Sequence, residues 1–161
     1  MRPDLIVKTG CQTRRSFRFA VLWLCAFLMT GCVGGSDPEQ EIRQWLDAAE
    51  AEAEERQRRA IMARISENYA DARGNQKSDI ENVLRYYFLR QKSVSLLTTV
   101  DELRVFGDSA AELDLTVAMA GSKGGLNLSA DVWNFELELE RMDGDWQLIG
   151  ARWGQLGDEL R

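Results

Sequence analysis

The side chains of this chain that could do chemistry are hydroxyls and carboxylates, because the sequence contains no histidine. Without an imidazole, Ser-His-Asp and Cys-His nucleophilic catalysis are excluded, together with nearly all transition-metal sites. A tyrosine hydroxyl beside a carboxylate with a raised pKa could still serve acid–base catalysis. Tyr69, Tyr86 and Tyr87 supply candidate hydroxyls, and Asp71 and Asp131 supply candidate carboxylates. No motif joins these groups, so we assign no catalytic residue and expect no metal and no cofactor.

Four aromatic side chains indicate a different function, the binding of a small apolar molecule. Trp133, Phe135 and Trp153 lie on segments with strand periodicity, and Tyr87 lies on a segment with helical periodicity. In an ordinary domain such residues fill the core. Beneath a curved sheet they would instead line a concave apolar pocket. We therefore take Tyr87, Trp133, Phe135 and Trp153 as the candidate ligand-binding residues.

The N-terminal segment predicts export from the cytoplasm. A basic stretch with Arg14, Arg15 and Arg18 precedes an apolar run at 19–30. The run has the length of a signal-peptide core and falls short of the ~20 residues that span a bilayer as a helix. Residues 13–17 also resemble the twin-arginine export signal, but Arg18 stands where that signal has a hydrophobic residue. The arginines are more simply explained as signal-peptide charge.

The apolar run ends in Met29-Thr30-Gly31-Cys32, which resembles the lipobox of bacterial lipoproteins, with methionine where that pattern prefers leucine. The resemblance implies that residues 1–31 are removed as a signal peptide and that Cys32 is acylated as a membrane anchor. Val33 after the cysteine, rather than aspartate, implies sorting to the outer membrane, facing the periplasm. The alternatives are an ordinary signal peptide, or a membrane anchor that contains a cysteine by chance.

Removal of the leader would leave 130 of the 161 residues, with a lipidated tether at 32–38 and one domain at 39–161. This part carries 25 acidic and 15 basic residues, which argues against nucleic acid as a partner. Its only cysteine is Cys32, so disulfides, thiolate catalysis and zinc–cysteine sites are excluded from the domain. The expected partners are the membrane, through the lipid anchor, and another envelope protein.

Two amphipathic helices are predicted before any strand. The first begins at the capping sequence 36–39, continues through the charged stretch 50–59 and extends to about Ile65. Within it, Glu52 is expected to pair with Arg56 one turn later. The second begins at Ser78 and carries several apolar residues on one face. These residues are Ile80, Val83, Leu84, Tyr87 and Phe88.

From Ser93 onward, apolar residues alternate with a period of two, which predicts four antiparallel strands. A change of phase near Asp101, and another between Val132 and Trp133, each predict a bulge. Asp143-Gly144 predicts the tight turn of the last hairpin. Helices followed by such a sheet predict an α+β fold with the helices packed on one face.

The order of these elements resembles the nuclear transport factor 2-like superfamily, also called cystatin-like, over residues 39–156. The resemblance rests on the Tyr-Tyr-Phe-Leu-Arg ending of the second helix at 86–90 and on the closing strand at 146–153. It implies a curved sheet of four or five strands wrapped around helices as a cone with an open end, with residues 65–71 as a short edge strand. The superfamily includes enzymes, scaffold domains and domains of unknown role, so the fold does not determine the function.

Three functions remain open, and each predicts a different cone. A non-catalytic interaction or accessory domain at the envelope, which the sequence favours, predicts a cone packed solid and a partner surface on the acidic helix or a sheet face. A binding domain for a small apolar ligand predicts a cavity of a few hundred Å³ lined by the four aromatic residues. A ketosteroid isomerase-like or polyketide cyclase-like enzyme predicts a buried carboxylate beside a tyrosine hydroxyl.

Overall fold

The computed structural model describes residues 37–122 and 128–161. All of the described elements fall within one compact unit, Ser36–Arg161. The predicted signal peptide, Cys32 and the tether up to residue 36 lie outside the described residues. In the described part of the chain, no helix is both long and apolar enough to cross a membrane.

The first helix, α1 (Pro38–Glu54), begins at the predicted capping sequence. Asp37 is the N-cap, and its carboxylate accepts a hydrogen bond of 3.1 Å from the backbone N–H of Glu39. The prediction that this helix continues to about Ile65 is wrong. The helix ends at Glu54, Arg56 adopts a left-handed conformation with a φ of 57°, and a separate short helix, α2 (Arg58–Ala63), follows.

Contacts with distant residues stabilise this break in the helix. The Arg56 guanidinium donates a hydrogen bond of 2.8 Å to the backbone carbonyl of Gln91. Glu52 forms a bidentate ion pair with Arg64, with both N–O distances at 2.7 Å. The expected pair of Glu52 with Arg56 is therefore not formed, because the break turns Arg56 toward Gln91.

The second predicted helix is α3 (Lys77–Arg90), which begins one residue before the predicted start at Ser78. Its capping box uses Gln76 and Asp79, and the backbone N–H of Gln76 donates 2.9 Å to the Asp79 carboxylate. No residue of α3 is fully buried, although Leu84 and Tyr87 on its inner face are half-buried. The helix therefore covers the sheet without packing tightly against it.

The sheet contains four antiparallel strands in chain order. They are β1 (Ser93–Phe106), β2 (Ala110–Ser122), β3 (Leu128–Met142) and β4 (Asp145–Gln155). The turn between β3 and β4 is Asp143-Gly144, as predicted, and both residues have a positive φ, 53° and 95°. Two positive φ values are the signature of the type I′ turn that matches the twist of a hairpin.

One of the two predicted bulges is present and the other is not. The register of β1 against β2 shifts between Val100 and Glu102, where the first change of phase predicts it. The bulge predicted between Val132 and Trp133 is wrong, because β3 pairs with β2 without interruption there. Val132 and Trp133 lie on opposite faces of an unbroken strand, and the apolar character of both faces produced the apparent change of phase. A shift between β3 and β4 occurs further along, at Glu138 and Leu139.

The segment predicted as a short edge strand follows the free edge of β4 without forming a regular strand. Ile65 makes an isolated parallel bridge with Leu148. The backbone N–H of Ser66 donates 2.9 Å to the Leu148 carbonyl, and the N–H of Ala70 donates 3.1 Å to the Ile149 carbonyl. These hydrogen bonds pair some of the backbone carbonyl groups on the free edge of β4, so that the segment covers part of this edge.

Two clusters of buried residues hold the helices on one face of the sheet. The first joins Ile42 of α1 to Leu113, Leu115 and Leu139 of the sheet. The second is centred on Met62, Ile65, Tyr69 and Ala151. The predicted α+β architecture, with helices on one face of a curved antiparallel sheet, is confirmed.

Candidate ligand-binding pocket

A cavity of about 480 Å³ lies between the inner face of α3 and the concave face of the sheet. Its walls are almost entirely apolar, with residues from α3 on one side and from all four strands on the other. Cavities of this size in proteins accommodate small organic ligands. The cone is therefore hollow, which is the arrangement expected of the ligand-binding alternative.

The cavity exists because the two core clusters fill only part of the space under the helices. The long helix α1 contributes Ile42, which is completely buried, to the cluster that closes one part of the cone. In contrast, Ile80 and Leu84 of α3 are only half-buried and border the cavity. Close packing is the rule in protein interiors, so an open space of this size beside a core is unusual.

All four residues proposed from the sequence as ligand-binding line this cavity. Trp133 and Phe135 alternate along β3, Trp153 lies on β4, and Tyr87 faces them from α3. The structure thus brings together side chains that lie up to 66 positions apart in the sequence.

Two of these aromatic side chains are held in place by neighbours. The Tyr87 ring packs edge to face against Phe88, with centroids 6.1 Å apart. The Arg73 guanidinium lies 4.5 Å from the centroid of the Trp153 ring and donates 2.8 Å to the Trp153 carbonyl. These contacts orient two walls of the cavity before any ligand enters.

Two polar atoms in the cavity walls have no hydrogen-bond partner among the described residues. They are the Oε1 atom of Gln91 and the Nε1 atom of Trp133. Gln91 is only 7% exposed, and a Cβ placed at Gly121 would lie 3.0 Å from its Oε1 atom, so the amide is closely confined. Leaving such groups buried without partners is costly.

Gln91 is the residue that the sequence analysis missed. It directly follows α3 and its backbone N–H donates 2.9 Å to the Tyr87 carbonyl, which is an ordinary helix-terminal role. A single glutamine between two basic residues carries no signal of a pocket. Only the position of Gly121 on the neighbouring strand makes room for the side chain to turn inward.

Two tyrosine hydroxyls at the cavity stay protonated well above neutral pH. Burial, with a smaller effect from Asp71, raises the pKa of Tyr69. Burial, with a smaller effect from Asp131, also raises the pKa of Tyr87. Both hydroxyls therefore act as neutral hydrogen-bond donors or acceptors toward whatever fills the cavity.

The two candidate carboxylates do not form an acid–base site with these hydroxyls. Asp71 is buried, but its carboxylate accepts bonds of 2.8 Å from the backbone N–H groups of Arg73 and Asn75 and from the Asn75 side chain. It therefore organises a turn. Asp131 borders the cavity, but it is exposed to solvent. The described residues include no group of three or more side chains placed to bind a metal.

Two further residues, Tyr86 and Arg152, lie outside the cavity. Tyr86 is exposed on α3 and does not line the cavity, unlike Tyr87. Arg152 points away from the cavity and forms an ion pair of 2.8 Å with Glu136 on the outer face of the sheet.

No protein-family model matches the chain, and no curated protein is similar to it in sequence. Solved structures are similar to it in fold. A nuclear transport factor 2-like protein with a cystatin-like fold from Novosphingobium aromaticivorans superimposes with a TM-score of 0.62 at 12% identity, covering 90% of this chain and 92% of that one. A ketosteroid isomerase-like protein from Erwinia carotovora gives a TM-score of 0.61 at 11% identity, covering 77% and 100%.

A domain of unknown function with a cystatin-like fold from Nostoc punctiforme is also similar, with a TM-score of 0.59 at 17% identity, covering 73% of this chain and 76% of that one. Identities this low show the fold alone. The nuclear transport factor 2-like, cystatin-like fold expected from the order of elements is thereby confirmed.

Proposed function

We propose that this protein is a non-catalytic, lipid-anchored envelope protein whose domain binds a small, largely apolar ligand. The observation that carries the proposal is the hollow cone, with its cavity of about 480 Å³ walled by aromatic side chains. The sequence favoured an accessory domain with a solidly packed cone. The open cavity supports the ligand-binding alternative instead.

The unpartnered atoms in the walls narrow the chemistry of the ligand. The Gln91 Oε1 atom accepts hydrogen bonds and the Trp133 Nε1–H group donates them. A hydroxyl or amide-like group on an apolar ligand would pair with either atom once that side chain turns to expose it to the cavity. Such a molecule would bury its apolar part against Phe135, Leu137 and Leu148, which also line the cavity.

The enzyme alternative receives less support from the same geometry. A ketosteroid isomerase-like acid–base site requires a carboxyl group within an apolar pocket. In the described part of the cavity wall, Asp131 is the only acidic residue, and it is exposed. The buried Asp71 is already bonded to three N–H donors, which hold its carboxylate in a turn.

The cellular location follows from the leader rather than from the fold. We propose that cleavage before Cys32 and acylation of that cysteine anchor the domain at the outer membrane, facing the periplasm. A Cys32→Ala substitution tests this directly. Mass spectrometry of membrane fractions should show an acyl mass increment on the wild-type N-terminus and none on the variant. An unmodified wild-type protein would refute the anchor without bearing on the cavity.

Adjacent tyrosines provide the test of the ligand site. The unit Ser36–Arg161 contains every described element and both core clusters, so it can be studied without the leader. The neutral probe N-phenyl-1-naphthylamine, which fluoresces in apolar surroundings, should bind saturably with one site per chain. Tyr87→Ala removes a wall of the cavity and should weaken binding about tenfold.

Tyr86→Ala is the matched control, because it removes the same side chain from the outer face of the same helix. It should leave the affinity for the probe unchanged. Equal affinities for the two variants, or no saturable binding by the wild type, would contradict the proposal.

A further inference from the structure

The outer face of α3 exposes large apolar side chains between arginines. Leu89 is 80% exposed and Tyr86 is 60% exposed, although each is the kind of residue that usually packs against protein. Arg85 and Arg90 lie beside them on the same face, and the Arg90 guanidinium stacks 5.0 Å from the centroid of the Tyr86 ring. The helix is therefore apolar on its inner face and both apolar and basic on its outer face.

The corner between α1 and α2 adds more positive charge to this face. Arg56 reaches the end of α3 through its hydrogen bond to the Gln91 carbonyl. A shallow groove of about 230 Å³ is lined there by Arg56, Arg58 and Arg85 together with Phe88 and Leu89. In the described structure, Arg58 and Arg85 share one acidic partner, Glu81. The groove thus carries a net positive charge above an apolar floor.

The sequence shows how uneven the distribution of charge is. Segments 56–66 and 83–100 contain no acidic residue, although the chain after Cys32 has 25 of them. The same two segments hold seven of the 15 basic residues in that part. The basic surface is therefore a local feature of an acidic domain.

The outer face of the sheet carries the opposite charge. Glu112 of β2 lies opposite Glu138 of β3, and Asp114 lies opposite Glu136, so four carboxylates lie on one face of the sheet. Arg104 and Arg152 neutralise only part of them. An anionic surface would attract the basic outer face of α3 and repel the acidic face of the sheet, which orients the molecule.

We propose that the outer face of α3 and the corner between α1 and α2 dock the domain on an anionic lipid bilayer. Leu89 and Tyr86 enter the interfacial region, while Arg56, Arg85, Arg90 and Lys92 lie against lipid phosphates. Phe88 lines both the basic groove and the ligand cavity, so docking brings a wall of the cavity to the bilayer. This docking surface requires neither a ligand in the cavity nor an acyl group on Cys32.

Vesicle flotation with the unit Ser36–Arg161, which has no acyl group, tests this surface alone. The protein should float with vesicles of phosphatidylglycerol and phosphatidylcholine in equal amounts and remain behind with pure phosphatidylcholine. Binding should fall steeply when salt rises from about 0.05 to 0.5 M, because surface electrostatics are screened. The double variant Arg85→Ala, Arg90→Ala should lower the partition coefficient about thirtyfold.

The matched control removes two arginines from the other side of the domain. Arg104→Ala with Arg152→Ala changes the net charge equally but lies on the outer face of the sheet, so binding should not fall. Leu89→Ser should weaken flotation without changing the net charge. Equal losses in both double variants, or equal flotation with neutral vesicles, would overturn the proposal. Self-association of the wild type that Arg85→Ala, Arg90→Ala abolishes, without flotation, would also overturn it in favour of a second copy as the partner.

Discussion

Replacing Gln91 with methionine should make the domain more stable and should at the same time weaken the binding of a ligand in the cavity. The Gln91 side chain is 93% buried, and its Oε1 atom has no partner in the described structure. Methionine has a similar length and volume but no amide to leave unsatisfied. The backbone of Gln91, which bonds to Tyr87 and Arg56, is not altered by the substitution.

The size of the effect follows from the unpaired acceptor. A buried polar group without a partner costs about 1–3 kcal/mol, and part of this is recovered when it is replaced by an apolar group of the same shape. We expect a gain of about 1 kcal/mol in the free energy of unfolding, or about 4 °C in the melting temperature for a domain of this size. Affinity for a ligand that donates a hydrogen bond to Gln91 should fall about tenfold.

Thermal unfolding followed by circular dichroism measures the change in stability. Titration with a polycyclic aromatic alcohol, an apolar molecule with one hydroxyl group, measures the change in affinity. Gln40→Met, at an exposed position of α1, is the control and should change neither quantity by a measurable amount. A Gln91→Met protein that is less stable than the wild type, with unchanged affinity, would refute the reasoning. It would mean that the amide is structurally satisfied and not available to a ligand.

Two other predictions concern stability. Leu139→Ala should lower the free energy of unfolding by about 3 kcal/mol in urea denaturation, because Leu139 is 1% exposed in the core cluster that contains Ile42 of α1. A loss below about 1 kcal/mol would show that the core packs differently. Burial raises the pKa of Tyr69 above its usual value of about 10, so its contribution to stability is complete below about pH 10 and is lost as the pH rises further. Between about pH 9 and 11.5, the melting temperature should therefore fall less for Tyr69→Phe than for the wild type. The control Tyr86→Phe, at an exposed position, should follow the wild type. Parallel curves for all three proteins would contradict the assignment.

Local patterns were sufficient to predict α3, the four strands and the four aromatic residues that line the cavity. The apolar face of α3, the alternation along β3 and the Asp143-Gly144 turn depend on short-range chemistry that the sequence displays directly. The four aromatic residues could be proposed for the same reason. Their periodicity places them on the inner faces of a helix and two strands, and the curved fold brings those faces together.

The break after α1 could not be predicted, because its cause lies far away in the sequence. Residues 50–59 have strong helix propensity, which favours an unbroken helix. The contacts of Arg56 with the Gln91 carbonyl and of Glu52 with Arg64 stabilise the corner instead. Tertiary contacts of this kind commonly override local propensity.

The presence of a cavity inside the cone could not be predicted from sequence patterns either. A half-buried Leu84 and a fully buried Leu139 have the same side chain and both fit the apolar periodicity of their elements. Whether α3 packs against the sheet or stands away from it depends on the curvature of the strands and on the confinement of Gln91 by Gly121. These are properties of the assembled fold.

The indole N–H resonances of the unit Ser36–Arg161 test the hollow, ligand-binding cone most directly. This part of the chain contains four tryptophans, of which Trp133 and Trp153 line the cavity, whereas Trp45 and Trp146 do not. Titration with N-phenyl-1-naphthylamine, followed by ¹H–¹⁵N correlation spectra, should shift the Trp133 and Trp153 resonances saturably and leave those of Trp45 and Trp146 in place. Unchanged Trp133 and Trp153 resonances at saturating probe would contradict the account.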